Sequence, residues 1–134
     1  MLATASWRSS IVPRELEIGI ELSTTWTVDE AHQYNPSGKS GHEVLSSPSM
    51  IWEMETACAD LAKGCLPDSQ TTVGFHVDVK HIARARAGAT ISTSVRLSKI
   101  DGNKLTFAVE AREDGRLIGS GRHRRAVIDV DDLG

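Results

Sequence analysis

The chain has 134 residues, 25% of them charged, and a formal net charge of -3. That length suits one domain with a real core that still gains from a partner subunit, and the mild acidity excludes general steering toward nucleic acid or an anionic membrane. No apolar run approaches the about 18 residues of a spanning helix, so no membrane partner is expected.

Residues 1–14, MLATASWRSSIVPR, lack the apolar centre of a secretory signal and are expected to form a flexible tail ahead of a domain at residues 15–130. The expected location is the cytoplasm, with an organellar matrix as the alternative because Arg8 sits among small hydroxyl residues. Leu16, Ile18, Ile20 and Leu22 then alternate with Glu15, Glu17, Gly19 and Glu21, the period of a half-buried strand running on through Trp26. Residues 31–42, AHQYNPSGKSGH, carry the turn signals Asn35-Pro36-Ser37-Gly38 and Ser40-Gly41 and read as a short helix followed by a mobile flap.

His42 to Cys65 reads as one long, largely buried helix with a polar entry. Ser47 is expected to cap it and Pro48 to occupy its first turn, where a missing N–H costs nothing. Met50, Met54, Ala57 and Leu61 recur at helical spacing, widened by Ile51, Cys58 and Ala62, and Gly64 offers the stop. Glu55 breaks the division, since it lies beside Ile51, Ala59 and Ala62 at the edge of the apolar stripe. Such a carboxylate either snorkels to water or serves a purpose, because desolvating it is costly unless it is paired. Cys58 and Cys65 share this helix and read as reduced thiols, not a disulfide.

From Thr71 the period changes to two. Val73, Phe75, Val77 and Val79 take one parity, and His81 falls on that apolar parity at the strand's end. A lone histidine there is usually a satisfied structural residue. After a loop marked by Arg84, Arg86 and Gly88, a strand from Ala89 to Leu97 turns Ile91, Thr93, Val95 and Leu97 inward. Asp101-Gly102-Asn103 predicts a hairpin to a strand burying Leu105, Phe107, Val109 and Ala111, and Asp114-Gly115 turns the chain again. The last strand, Arg116 to Val130, contains Gly119-Ser120-Gly121, a signal for a bulge or a close backbone approach, and residues 131–134 read as a frayed end. The order predicts an α+β domain whose single antiparallel sheet wraps the apolar helix, with edges that call for pairing.

Four segments carry a resemblance that periodicity cannot supply: SSPSMIWEMETAC, TTVGFHVDVKHIARARAG, VRLSKIDGNKLTFAVEAREDG and IGSGRHRRAVID. In order and spacing they resemble the hot-dog thioesterase superfamily, specifically the branch containing the fluoroacetyl-CoA thioesterase, from about Glu17 to Asp129. The resemblance implies a hot-dog fold, a homodimer with sites at the subunit interface, and hydrolysis of an acyl-CoA, with CoA as part of the substrate and no cofactor. It implies catalytic roles for Ser47, Glu55 and His81, positioning of the thioester by Gly74 and Arg125, and weaker CoA contacts from Arg84 and Arg86. Both anomalies, Glu55 and His81, then share one explanation.

Thioester hydrolysis needs a nucleophile, a base and donors for the developing oxyanion. His81 is the best base, because an imidazole titrates near neutrality. Glu55 could orient it, position water or attack, and Ser47 could attack or merely cap the helix; the residues alone leave these open. Two departures from the family stand out. Ser47 replaces its usual threonine, and Gly38 and Gly41 stand where the fluoroacetate-specialised member has two gating phenylalanines, so fluoroacetyl specialisation is not expected. A noncatalytic acyl-CoA-binding dimer and an acyl-thioester dehydratase are the alternatives. No cysteine and histidine cluster has zinc-site spacing, no HExxH segment occurs, and the short Arg122-His123-Arg124-Arg125 run does not make a nucleic-acid surface.

Overall fold

The computed structural model describes residues 15–134, so the expected tail at residues 1–14 lies outside the described residues. The sheet order is β1 (Glu21–Thr27), β5 (Thr90–Asp101), β6 (Lys104–Glu113), β7 (Arg116–Asp129) and β4 (Gln70–His81), every pair antiparallel. One helix, α1 (Ser47–Lys63), touches all five strands. A sheet can do that only by curving around the helix, which is the expected α+β arrangement.

The core lies between them. Met50, Met54, Ala57, Cys58, Leu61 and Ala62 of α1 are buried against Ile91, Val95, Leu97, Leu105, Phe107, Val109, Ala111 and Ile118. Burying each large side chain contributes roughly 1.5–3 kcal/mol, far more than helix propensity does. Thr93, fully buried among them, accepts from Trp26 Nε1 at 2.9 Å, so its hydroxyl is satisfied. Both expected hairpins form, with Gly102-Asn103 between β5 and β6 and Asp114-Gly115 between β6 and β7. The expected close approaches in β7 are also there: a Cβ on Gly121 would lie 2.1 Å from Asp78 O, and one on Gly119 would meet Met50 Sδ at 2.5 Å.

Five local expectations need correction. The apolar alternation from Leu16 is not strand at its start, because Ile18-Gly19 form a turn with Gly19 at φ 101° and its amide on Leu97 O, so β1 begins at Glu21 and Ile18 is exposed. The helix does not begin at His42: Val44–Leu45 form β3, paired with β2 (Gln33–Tyr34), and the flap between them is braced by Asn35 Oδ1, which accepts from Ser37 N and Gly38 N. The short helix before the flap is one 3-10 turn, Glu30–His32, capped by Asp29.

The fourth correction is the cap itself. Ser46, not Ser47, caps α1, its Oγ accepting from Ser49 N at 3.2 Å. The fifth is β4, where Phe75 and Val77 are 46% and 43% exposed although their parity is apolar. A register shift between Gly74 and His76 breaks the alternation, and β4 is the sheet's edge. The chain end, read as frayed over residues 131–134, holds a 3-10 turn at Val130–Leu133, with Val130 N on Ser69 O at 2.9 Å. Cys58 and Cys65 form no disulfide, and burial above all pushes the Cys58 thiol up to about 12, too high for a nucleophile at neutral pH. No helix among the described residues is long and apolar enough to cross a membrane.

Candidate active site

Two clusters hold the predicted site residues. The first joins the start of α1 to the end of β4: Ser47 Oγ lies 2.7 Å from His81 Nδ1. Because Ser46 does the capping, Ser47 points its hydroxyl away from the helix amides and toward the imidazole. Burial outweighs the backbone hydrogen bond at Ala83 and lowers the His81 pKa from its ordinary 6.5, so the ring is neutral at pH 7 and able to take a proton. Its Nε2 is buried and, among the described residues, has no hydrogen-bond partner.

The pair opens on a cavity of about 730 Å3 that also reaches Tyr34, Pro36, Ile82 and Arg84. Gly38 and Gly41 do not line it; they sit further along the β2–β3 loop, with nothing within 4 Å of where a Cβ would be. Tyr34 and Pro36 are the loop residues at the mouth, and turn chemistry gave no sign of that. Next to the mouth, Ala85 is buried and its carbonyl accepts from Leu45 N at 2.8 Å, which leaves Arg84 and Arg86 directed outward on one side. Both line an adjoining cavity of about 820 Å3 together with Arg116, a residue the sequence did not single out. Arg116 is already engaged by Glu113 and by Arg84 O, whereas Arg84 and Arg86 have no carboxylate partner among the described residues.

Glu55, Gly74 and Arg125 make the second cluster. Glu55 Oε2 is 3.9 Å from Arg125 Nη1 and 3.6 Å from His123 Nε2, with about a third of the carboxylate side chain (33%) still exposed. Arg125 is locked from behind, giving Nε–H to Thr72 Oγ1 at 2.8 Å and Nη2–H to Thr72 O at 3.0 Å. Gly74 leaves a hollow in front: an added Cβ would meet His123 Cε1 at 2.9 Å, Glu55 Oε2 at 3.0 Å and Arg125 Nη1 at 3.1 Å. The sequence missed His123 and Thr72. Parity along β7 was the available signal for His123, since His123 and Arg125 are buried while Arg122 and Arg124, on the other parity, are exposed or half-buried.

Within one chain the clusters do not meet. Ser47 and Glu55 are eight residues apart on α1, about 12 Å at 1.5 Å per residue, beyond the reach of one carboxylate. Among the described residues no group of three or more metal-binding side chains assembles.

A five-stranded antiparallel sheet curved around one helix is the hot-dog fold, the architecture of a thioesterase superfamily. Residues 28–131 match the family FlK, fluoroacetyl-CoA-specific thioesterase, and the chain belongs to that family. It is similar to the fluoroacetyl-CoA thioesterase of Streptantibioticus cattleyicolor, 30% identical over 105 residues that cover 78% of this chain and 76% of that protein. A solved structure of FlK superimposes with a TM-score of 0.80 at 25% identity, covering 90% of this chain and 93% of that one. A Thermus thermophilus member of the thioesterase superfamily also gives 0.80 at 25% identity, covering 90% and 89%. A phenylalanine-to-alanine variant of FlK has been solved with fluoroacetate and CoA, and a threonine-to-serine variant with acetyl-CoA. The chain is thus a thioesterase, a hydrolase of thioesters.

Proposed function

We propose that the protein hydrolyses an acyl-CoA at a site made by two copies of the chain, Ser47 and His81 from one and Glu55, Gly74 and Arg125 from the other. The observation that carries this is the 2.7 Å contact between Ser47 Oγ and His81 Nδ1, with Glu55 about 12 Å further along the same helix and out of reach within one chain. His81 takes the Ser47 proton as Oγ attacks the thioester carbon, then gives it to the departing CoA sulfur as the C–S bond breaks. Water, deprotonated in turn by His81, cleaves the acyl-serine and restores the hydroxyl. With Nδ1 as acceptor, Nε2 carries the other proton and faces the protein interior, so Glu55 of the second copy serves the incoming water and not the ring.

The β4 edge supports that pairing. It is unpaired on its outer side and exposes Phe75 and Val77, surface that a twofold-related edge would cover. Mixed dimers test the shared site directly. His81→Asn and Glu55→Gln proteins, each inactive alone, are expected to recover about a quarter of the parent rate when unfolded and refolded together, since half the dimers are mixed and each of those holds one intact site. No recovery from demonstrably mixed dimers would place the whole site in one chain.

The CoA handle is assigned to Arg84 and Arg86, whose guanidiniums suit phosphate oxygens and line the adjoining cavity, where Glu113 is taken up by Arg116. The acyl specificity is assigned as not fluoroacetyl, because the open space at Gly38 and Gly41 offers no aromatic lid. One kinetic panel checks both. Replacing Arg84 and Arg86 together by alanine should raise KM for acetyl-CoA about tenfold and leave acetyl-pantetheine unchanged, while the parent enzyme should show no preference of several orders of magnitude for fluoroacetyl-CoA over acetyl-CoA. Equal losses on both thioesters would detach the arginines from the nucleotide, and a large fluoroacetyl preference would defeat the reading of the loop.

A further inference from the structure

We infer that His123 is a positioning residue, which turns the Arg125 guanidinium so that one of its N–H groups faces Glu55. This rests on the reading of Glu55 as the site's carboxylate and adds a residue to it. His123 is 1% exposed, and only its Cε1 edge borders the hollow at Gly74 while both ring nitrogens are engaged behind it. Its Nδ1–H donates to His76 O at 2.9 Å, a carbonyl that can only accept. That bond fixes the tautomer. Nε2 is then a bare lone pair, and it accepts from Arg125 Nη1 at 3.0 Å.

With Thr72 holding Nε and Nη2, the guanidinium is gripped at three nitrogens, and the second hydrogen of Nη1 is left for the hollow where Glu55 Oε2 sits at 3.9 Å. A guanidinium held on all sides loses little freedom when it meets a carboxylate, and it cannot swing away when the carboxylate moves in a reaction. The groups facing His123 are Glu55 from α1, His76 from β4 and Arg125 from β7. A second cation next to Arg125 would oppose it, and burial likewise favours the neutral ring, lowering the His123 pKa from its ordinary 6.5.

Two variants separate the bonds. His123→Asn can keep the donor to His76 O but has no acceptor at the place of Nε2, whereas His123→Gln can bring an amide oxygen to that place. The expected result is a single-turnover rate about 30-fold lower for the asparagine protein and within about threefold of the parent for glutamine, with KM nearly unchanged in both. In an Arg125→Ala background, His123→Asn should cost less than about a further twofold, because its effect passes through Arg125. Equal losses for the two amides, or the same loss with and without Arg125, would overturn the assignment. On the unsubstituted dimer, the imidazole nitrogen shifts should report a neutral Nδ1–H ring at pH 7, and an imidazolium there would also overturn it. If Glu55→Gln is crippled while His123→Asn runs at the parent rate, only this inference fails; if Glu55→Gln runs at the parent rate, the proposed function fails with it.

Discussion

Substituting His81→Asn or Glu55→Gln is expected to lower the single-turnover rate of acyl-CoA cleavage by a factor on the order of 10² or more, with acyl-CoA still bound. Asparagine keeps polarity but has no titratable nitrogen to take the proton from Ser47 Oγ, which lies 2.7 Å from Nδ1. The pH profile gives a second reading of the same loss. Because burial lowers the His81 pKa, the acid limb of kcat/KM in the parent should fall below pH 6.5, where the base becomes protonated, and that limb should vanish from the residual activity of the asparagine protein.

Glu55→Gln removes a charge at almost constant volume. It also takes the carboxylate from beside Arg125, a nearly buried cation, so a melting curve must accompany the rate. Serine substitutions separate fold from chemistry in the same assay. Ser46→Ala should cost about 1 kcal/mol of stability and little turnover, since it removes the cap, while Ser47→Ala should do the reverse. Parent-rate cleavage by folded His81→Asn and Glu55→Gln proteins would take both residues out of the chemical step.

The second large effect contrasts two glycines. Gly121→Ala is expected to prevent normal folding or to destabilise by about 3 kcal/mol or more, because its Cβ would stand 2.1 Å from Asp78 O and 2.7 Å from Val79 Cα. Those are backbone atoms of the paired strand, and β4 could make room only by leaving β7. Gly74→Ala meets side-chain ends instead, which can yield by a few tenths of an ångström. Its added methyl fills the hollow ringed by Glu55, His123 and Arg125, so turnover should fall at least about tenfold with a nearly unchanged melting temperature. A Gly74→Ala protein as active as the parent would show that no reacting group uses that hollow.

Strict repetition made much of this molecule readable from its residues. The stripe Met50, Met54, Ala57 and Leu61, and the alternation Leu105, Phe107, Val109 and Ala111, each repeat a geometric period, so both elements and their buried faces follow without knowledge of neighbours. Glu55 and His81 were visible for the complementary reason, as polar groups that broke a period.

Where a feature depended on a neighbour, one-dimensional patterning misled. Ser46 and Ser47 are chemically identical, and only the pairing of Val44–Leu45 with Gln33–Tyr34 sets where the chain enters α1 and which hydroxyl is left for His81. Phe75 and Val77 looked inward because alternation assumes an unbroken ladder, which the register shift beside Gly74 interrupts.

By itself, then, the sequence determined the helix, four long strands, the core faces of β5 and β6 and the candidate acid–base residues, all properties of local period and side-chain chemistry. Only the tertiary structure decided that Ser47 and His81 form one cluster and Glu55, His123 and Arg125 another. The reason is that such contacts depend on strand order and register: β7 lies between β6 and β4, which brings Thr72 and His76 of β4 against residues about 50 positions later in the chain.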